Sequence, residues 1–524
     1  MPLISLAVST SVAASTCTPD CPDERLSVKT STGTYIGTID PRYENTRIFK
    51  AIPFAQPPTS ALRWLPPRKV ANNTATHYAV NYPPSCAQYF SSHPSLWNQY
   101  LAAGNQIDNG DQSHTSGLVG ENTSEDCLYL AVWTPLNVTA ESKLPVMFFM
   151  TGGGFQTGGV YIPQQIPTDW VDRTQSHIVV TINYRLNIFG FPNAAGLTDQ
   201  NLGILDQRAA LEWVHSNIAL FGGDPDKIVQ WGHSAGSESV DIHSYAYYQN
   251  PLVSGYFMQS GVAPNTISAA PDHSNFTFVA KHFGCDFPCN PAAELDCMRR
   301  VPFTWIENFI GQHGDNGTQP PLTFNTVVDE KVFFSDYPAR ARAGLVSRKP
   351  AIIGNAANEM SSLVAWPVNN LTAGPWEPGV LAADLSVFIC PTYNATVLRN
   401  NLNVPVYRYQ TAGVFPNLNP LSWLGAYHAS DLPTFFGTYD ILSNLGNTTQ
   451  FEIDVSRSMQ DHVFAFLQDP YNGPEKIGWN PLVTTAAGGG KVVRFGADGV
   501  VAQLVDGIEI DGPCRGIGTY DQFP

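Results

Sequence analysis

The sequence predicts an α/β fold: a central, mostly parallel sheet flanked by helices, with large insertions. Three observations predict it. Short apolar runs alternate with longer amphipathic segments, the pattern of strands linked by crossover helices. One serine, Ser234, stands in the pentapeptide Gly232-His233-Ser234-Ala235-Gly236 between a strand pattern and a helix pattern. No internal repeat or long linker divides the 524 residues, so 17–524 reads as one domain. Residues 1–16 read as a signal-peptide remnant, with an apolar core and small residues near its end but no basic residue before it.

The elements follow in order. "CLYLAVW" (127–133), "LPVMFFM" (144–150) and "HIVVTIN" (177–183) read as buried strands, rich in β-branched and large apolar residues. "GILDQRAALEWVHSNIALF" (203–221) reads as a helix with Ile204, Leu211, Val214 and Ile218 on one face. Gly222, Gly223 and Pro225 stop it. "KIVQW" then runs into the serine bend, and a helix begins after Gly236. "GYFMQS" (255–260), "KPAIIGN" (349–355) and "VPVYRY" (404–409) read as later strands. In such sheets chemistry gathers at the carboxyl ends of the strands, where Ser234 falls.

Composition narrows the function classes. Charged residues are 14%, with 28 basic against 44 acidic for a net −16. No basic run stands out, which argues against nucleic acid as a partner. Asn72, Asn122, Asn137, Asn275, Asn316, Asn370, Asn394 and Asn447 stand in N-glycosylation sequons. On so uncharged a surface they favour a secreted glycoprotein. Nine cysteines without paired zinc-site spacing favour disulfides in an oxidising compartment, and the odd count leaves at least one thiol unpaired within the chain. The N-terminal apolar run, about 14 residues, is short of the roughly 20 that span a bilayer. No other stretch reads as a membrane span.

Ser234 has the setting of a nucleophile: glycines on either side permit a sharp turn that holds a hydroxyl out into a pocket. A nucleophilic serine needs donors for the developing oxyanion. "MTGGGF" follows the strand ending at 150, so Gly153 and Gly154, with Ala235, are the expected oxyanion hole. "AAGGGK", near 490, has no chemistry around it and reads as a plain loop.

"SEDCLYLAVW", "TGGGF", "VVTINYRLNIFGF", "NLGILDQRAALEWVHSNIALFGGDP" and "WGHSAGS" carry a resemblance. Taken together, they resemble the type-B carboxylesterase/lipase family of α/β-hydrolases, and its secreted fungal esterases and lipases in particular. The resemblance is densest from about 120 to 262. It implies an α/β-hydrolase fold, a Ser-Glu-His triad in chain order and an acyl-enzyme mechanism on a small-molecule ester, without metal or organic cofactor. Glu359 in "IIGNAANEM" matches the family acid, although Gly354 is followed directly by Asn355, and Met360 replaces the usual glycine after the acid. His428 in "LGAYHASDLPTFFG" matches the base. His462 sits in an amphipathic helical pattern, and the side chain of His233 is expected to point away from Ser234.

The resemblance also implies disulfides Cys86–Cys127 and Cys285–Cys297, the first closing a loop that serves as a lid in lipase relatives. Here that loop carries Tyr89, Phe90, Leu96, Trp97, Tyr100 and Leu101, and a fixed omega-like loop is an equal reading. Cys390 pairing with Cys514 is a further expectation. Arg185, Glu125 and Asp206 occupy family-like positions where buried ion pairs are the default. Cholinesterase relatives carry a glutamate before the serine and a tryptophan some ten residues before the second loop cysteine; here those places hold His233 and Gly117.

A secreted serine carboxylesterase on neutral small or medium acyl or aromatic esters is the leading expectation. A lipase or sterol esterase shares the mechanism and differs in lid and acyl tunnel. A biosynthetic acyltransferase or lactone-forming enzyme keeps the same triad. A neuroligin-like binding protein is the non-catalytic alternative, and such proteins characteristically lose the serine that stands here. Oligomeric state is not legible.

Overall fold

The computed structural model describes residues 23–263, 272–367, 369–370, 372–442 and 444–524. Residues 1–16, Cys17 and Cys21 lie outside the described residues.

An eleven-stranded sheet organises the molecule. In chain order its strands are β1 (Thr38–Ile39), β2 (Thr46–Pro53), β3 (Tyr129–Pro135), β4 (Leu144–Met150), β5 (Ile178–Ile182), β6 (Gly223–His233), β7 (Gly255–Gln259), β8 (Ala351–Ala356), β9 (Val406–Thr411), β10 (Lys491–Phe495) and β11 (Ala502–Asp506). Across the sheet they run β11-β10-β9-β8-β7-β6-β4-β5-β3-β2-β1. From β5 to β10 every pairing is parallel. The flanks are antiparallel: β3 against β5 and β2, β1 against β2, and β11 against β10.

The parallel strands are covered on both faces, which is why they read as unbroken apolar runs rather than alternating ones. Along β4, Val146, Phe148 and Met150 join the cluster holding Ile204, Leu211 and Val214 of helix α1 (Leu202–Asn217) and Val240 of α2 (Ala235–Ala246). Met147 and Phe149 point into the opposite cluster, with Trp231 and with Val455, Met459 and Val463 of α4 (Gln450–Gln468). The predicted helix over 203–221 is α1 followed by a 3₁₀ turn, Ile218–Phe221, ended by Gly222 at φ 95°. The predicted strand at 127–133 is β3, displaced by two residues and antiparallel.

A stretch other than the N-terminal run has the length and apolarity of a membrane span, contrary to the sequence reading. The continuous helical stretch Glu377–Asn400 has 24 residues, and an 18-residue window within it reaches mean hydropathy 1.3, so by length and composition it is long and apolar enough to cross a membrane. Its contacts tie it into the fold instead. Arg399 forms a buried ion pair with Asp241 of α2, and Asp384, Ile389 and Thr396 are fully buried. A π-turn, Asp384–Ile389, interrupts it. Asp384, Pro391 and Arg399 hide the apolar stretch from a reading that looks for an uninterrupted run.

The described residues contain disulfides Cys86–Cys127, Cys285–Cys297 and Cys390–Cys514, and Cys289 is exposed and unpaired. The loop closed by the first disulfide is pinned rather than free. Asp315, at the end of α3 (Phe303–Asp315), accepts hydrogen bonds from Tyr89 Oη (2.9 Å), Ser91 Oγ (2.6 Å), and the N–H and Oγ of Ser92 (both 2.7 Å). Asn308 of α3 takes the Val119 N–H at 2.6 Å. Tyr89–Phe90 and Leu118–Val119 pair as a short antiparallel ladder across the loop. Seven of the eight sequon asparagines are exposed and Asn275 is half-buried.

Candidate active site

The predicted residues gather at the carboxyl ends of β4, β6 and β8. β6 ends at His233, and Ser234 follows with φ 54° and ψ −124°, directly before α2. That conformation costs a non-glycine residue of order 1–3 kcal/mol and persists only when its surroundings enforce it. They do. The Ser234 N–H donates to the Gln259 carbonyl of β7 at 2.9 Å. A Cβ on Gly232 would strike the Gly236 carbonyl, and one on Gly236 would strike the Met150 carbonyl of β4. The two glycines are therefore required by packing as well as by the turn, and Ser234 stays partly exposed between buried neighbours.

The loop after β4 lies against this bend. A Cβ on Gly152 would come within 2.8 Å of the Ser234 Cβ. Gly153 and Gly154 follow with φ 108° and 62°, both solvent-exposed. Among the described residues no acceptor takes the backbone N–H of Gly153, Gly154 or Ala235. Ala235, at the first turn of α2, is buried. Three unengaged N–H groups around a serine are the kind of donor set that an oxyanion in acyl transfer requires.

Three residues beyond β8, Glu359 is fully buried. Its Oε2 lies 2.6 Å from His428 Nδ1, and its Oε1 accepts the Ala356 N–H at 2.7 Å. The segments carrying the two residues are joined: Asn358 bridges Tyr427, and its N–H donates to the Ala426 carbonyl at 2.9 Å. His428 is 4% exposed, with its ring 5.1 Å from that of Phe388.

His233 meets a partner that the sequence did not indicate. Its ring centroid lies 4.6 Å from that of His428, so it packs on the candidate base. Burial, and then the neighbouring imidazole, push it well below the ordinary histidine range. It is a neutral wall. His462 stays on α4, bonded to the Ser458 carbonyl.

Two buried carboxyls near the pair were not singled out in the sequence. Asp431 is pushed up to about 7 by burial and then by the charge of Glu359. Asp384 is likewise raised to about 7, burial leading and Glu359 adding, against the bonds it accepts from Met360 and Gln522. Asp431 stands at the acidic position of the quoted "HASDL" run, which was its available signal. Asp384 has none, being 25 residues beyond Glu359 in an unrelated segment. The ion pairs are structural: Arg185–Asp206 at 2.7 Å and Arg63–Glu125 at 2.6 Å, all four side chains largely buried. "AAGGGK" forms a turn leading into β10.

Residues 24–374 match the model of the carboxylesterase family. The chain is 38% identical over 531 residues to the chlorogenic acid esterase of Aspergillus niger, covering 98% of this chain and 99% of that protein. It is 36% identical over 521 residues to secreted lipase 5 of Gibberella zeae, covering 93% and 94%. Likeness to the cholinesterase of Mus musculus is 34% over 283 residues, covering 53% and 44%.

Proposed function

The chain belongs to the carboxylesterase family and is a carboxylic ester hydrolase, and we propose that it works through a Ser234-His428-Glu359 triad. Ser234 attacks the ester carbonyl while His428 takes its proton; Glu359 holds the imidazole and stabilises its charged form. Gly153, Gly154 and Ala235 donate to the tetrahedral oxyanion. His428 then protonates the departing alcohol, leaving an acyl-enzyme that water cleaves by the same path reversed. The observation that carries this is the buried 2.6 Å contact between His428 and Glu359, beside a serine held in a strained turn.

The substrates are neutral esters with small or medium acyl groups or an aromatic part, and the enzyme acts outside the cell. The relative named as a chlorogenic acid esterase supports the substrate class; the relatives named as secreted lipases, the disulfides and the exposed sequons support action outside the cell. The eight sequon asparagines are the proposed glycan sites, and 17–524 the proposed catalytic domain. Against a lid-gated lipase stands the loop pinned by Asp315. The test is a panel of p-nitrophenyl esters of increasing acyl length, feruloyl esters, chlorogenic acid and triglycerides. Hydrolysis confined to long-chain emulsions would overturn the substrate class.

A further inference from the structure

The segment that carries Glu359 is gripped from a part of the chain more than 150 residues away. Tyr520 Oη donates to the Ala357 carbonyl at 2.9 Å and accepts from Gln410 Nε2 of β9 at 3.0 Å. Gln522 Nε2 donates to Asn358 Oδ1 at 2.9 Å and also to Asp384 Oδ2. Asp384 Oδ1 in turn accepts the Met360 N–H at 2.7 Å. Ala357, Asn358 and Met360 flank Glu359 on both sides, so three of these bonds act on the segment that aims its carboxylate and the other two brace the anchors. Asp384, Asn358, Tyr520 and Gln522 are all buried.

The anchors are themselves fixed. Asp384 opens the π-turn whose Phe388 ring lies against His428, and Cys390, directly after that turn, is bonded to Cys514. One disulfide therefore ties the 514–522 segment to the turn that touches the imidazole. A buried hydrogen-bonded frame of this kind costs stability wherever a member is unsatisfied. Here its members are matched to one another and to the acid segment. Among the described residues no Lys or Arg pairs with Glu359; the Ala356 N–H and the His428 ring engage its oxygens. Its aim depends on the backbone around it.

We propose that Tyr520 and Gln522, acting with Asp384, are positioning residues for the orienting acid: they clamp the peptide on either side of Glu359 and so keep its carboxylate on His428. The role rests on the reading of Glu359 as the acid of the triad. A misplacement near 1 Å at such a centre costs about a hundredfold in rate, and these bonds are what oppose it.

The experiment uses Tyr520→Phe, which keeps the ring and removes the hydroxyl, and Gln522→Ala. Active enzyme is counted with an organophosphonate, and kcat and KM are measured with p-nitrophenyl butyrate. Each variant is expected to lower kcat per titrated site about tenfold while KM stays within about twofold. In a Glu359→Gln background the same two substitutions are expected to change kcat less than about twofold, because the group they position is already disabled. Unchanged kcat in both single variants overturns the proposal. So does a full tenfold loss that persists beside Glu359→Gln, since it would then bypass the acid. Wild-type turnover in Glu359→Gln alone would overturn the triad reading as well, and is distinguished by needing neither positioning variant.

Discussion

Glu359 presents one carboxylate oxygen to His428 Nδ1 at 2.6 Å and the other to the Ala356 N–H at 2.7 Å, so the carboxylate is held at both ends. In the proposed triad the Nδ1–H of His428 donates to this carboxylate, which leaves Nε2 facing the serine as the base. The proposed role of Glu359 is therefore that of an orienting group rather than a second base. Its pairing spans 69 residues of sequence and depends on the bridge between Asn358 and Tyr427.

Ser234→Ala is expected to lower kcat by several orders of magnitude, and an organophosphonate should label Ser234 alone. Glu359→Gln should cost roughly 10⁴-fold, since an amide at that position favours the wrong tautomer. Both variants should unfold at temperatures close to wild type. Wild-type-like turnover in the alanine variant would end the serine reading, and full activity in Glu359→Gln would reassign the acid.

The parallel core of the fold was legible because strands buried on both faces leave long apolar runs, as in "LPVMFFM" and "HIVVTIN". The serine bend was legible because its geometry admits only small neighbours. β1, β2, β10 and β11 were not: they lie on the two flanks of the sheet, where runs such as "TRIFKAIP", "KVVRF" and "AQLVD" are broken by polar residues. His233 shows the limit of local reasoning. A turn fixes where a side chain leaves the backbone, but the long-range arrival of His428 decides what that side chain meets. Asp384, Tyr520 and Gln522 act through tertiary hydrogen bonds and have no sequence pattern to announce them.

Glu307, on α3, is buried with one oxygen bonded to Asn187 Nδ2 at 2.8 Å and the other without a partner among the described residues. Burial pushes its carboxyl up to about 8 from 4.5. Between those values the folded chain keeps a proton that the unfolded chain has released, so stability falls as pH rises across the window. Glu307→Gln keeps the shape and cannot ionise. It is expected to match wild type near pH 5 and to be more stable at pH 9, by an amount on the order of 3 kcal/mol. Thermal unfolding from pH 5 to 9 measures this; parallel curves for the two proteins would refute it.

Asp315 holds the 86–127 loop with four hydrogen bonds. Burial raises its carboxyl, but the bonds from Ser91, Ser92 and Tyr89 outweigh that and keep it below its ordinary range. Asp315→Ala is expected to destabilise the protein by about 2–4 kcal/mol and to speed proteolytic cutting between 89 and 117. In the wild type the rate on tributyrin should pass smoothly through the solubility limit. A step in rate at that limit would mean that the loop opens as a lid despite its anchor.

Choline esters are expected to be poor substrates relative to neutral esters with the same acyl group. Retaining a quaternary ammonium in a pocket takes a carboxylate, an aromatic face, or both, and the aromatic part alone is worth up to about 2 kcal/mol. At the position before the nucleophile stands His233, buried against His428 and kept neutral, so it supplies no negative charge. Gly117 has φ 68°, and a Cβ there would lie 3.2 Å from Ser92 Cβ and 3.6 Å from the Tyr89 hydroxyl. No aromatic ring replaces it without strain. The net charge of −16 still draws cations toward the protein, but salt screens that field beyond roughly 8–10 Å. It therefore acts on encounter more than on discrimination. The measurement is kcat/KM for butyrylthiocholine against an uncharged thiobutyrate ester at physiological salt. A tenfold preference for choline would reveal a cation site elsewhere, and Trp97, whose ring lies 6.5 Å from that of Tyr427 beside the base, is the aromatic face to replace first.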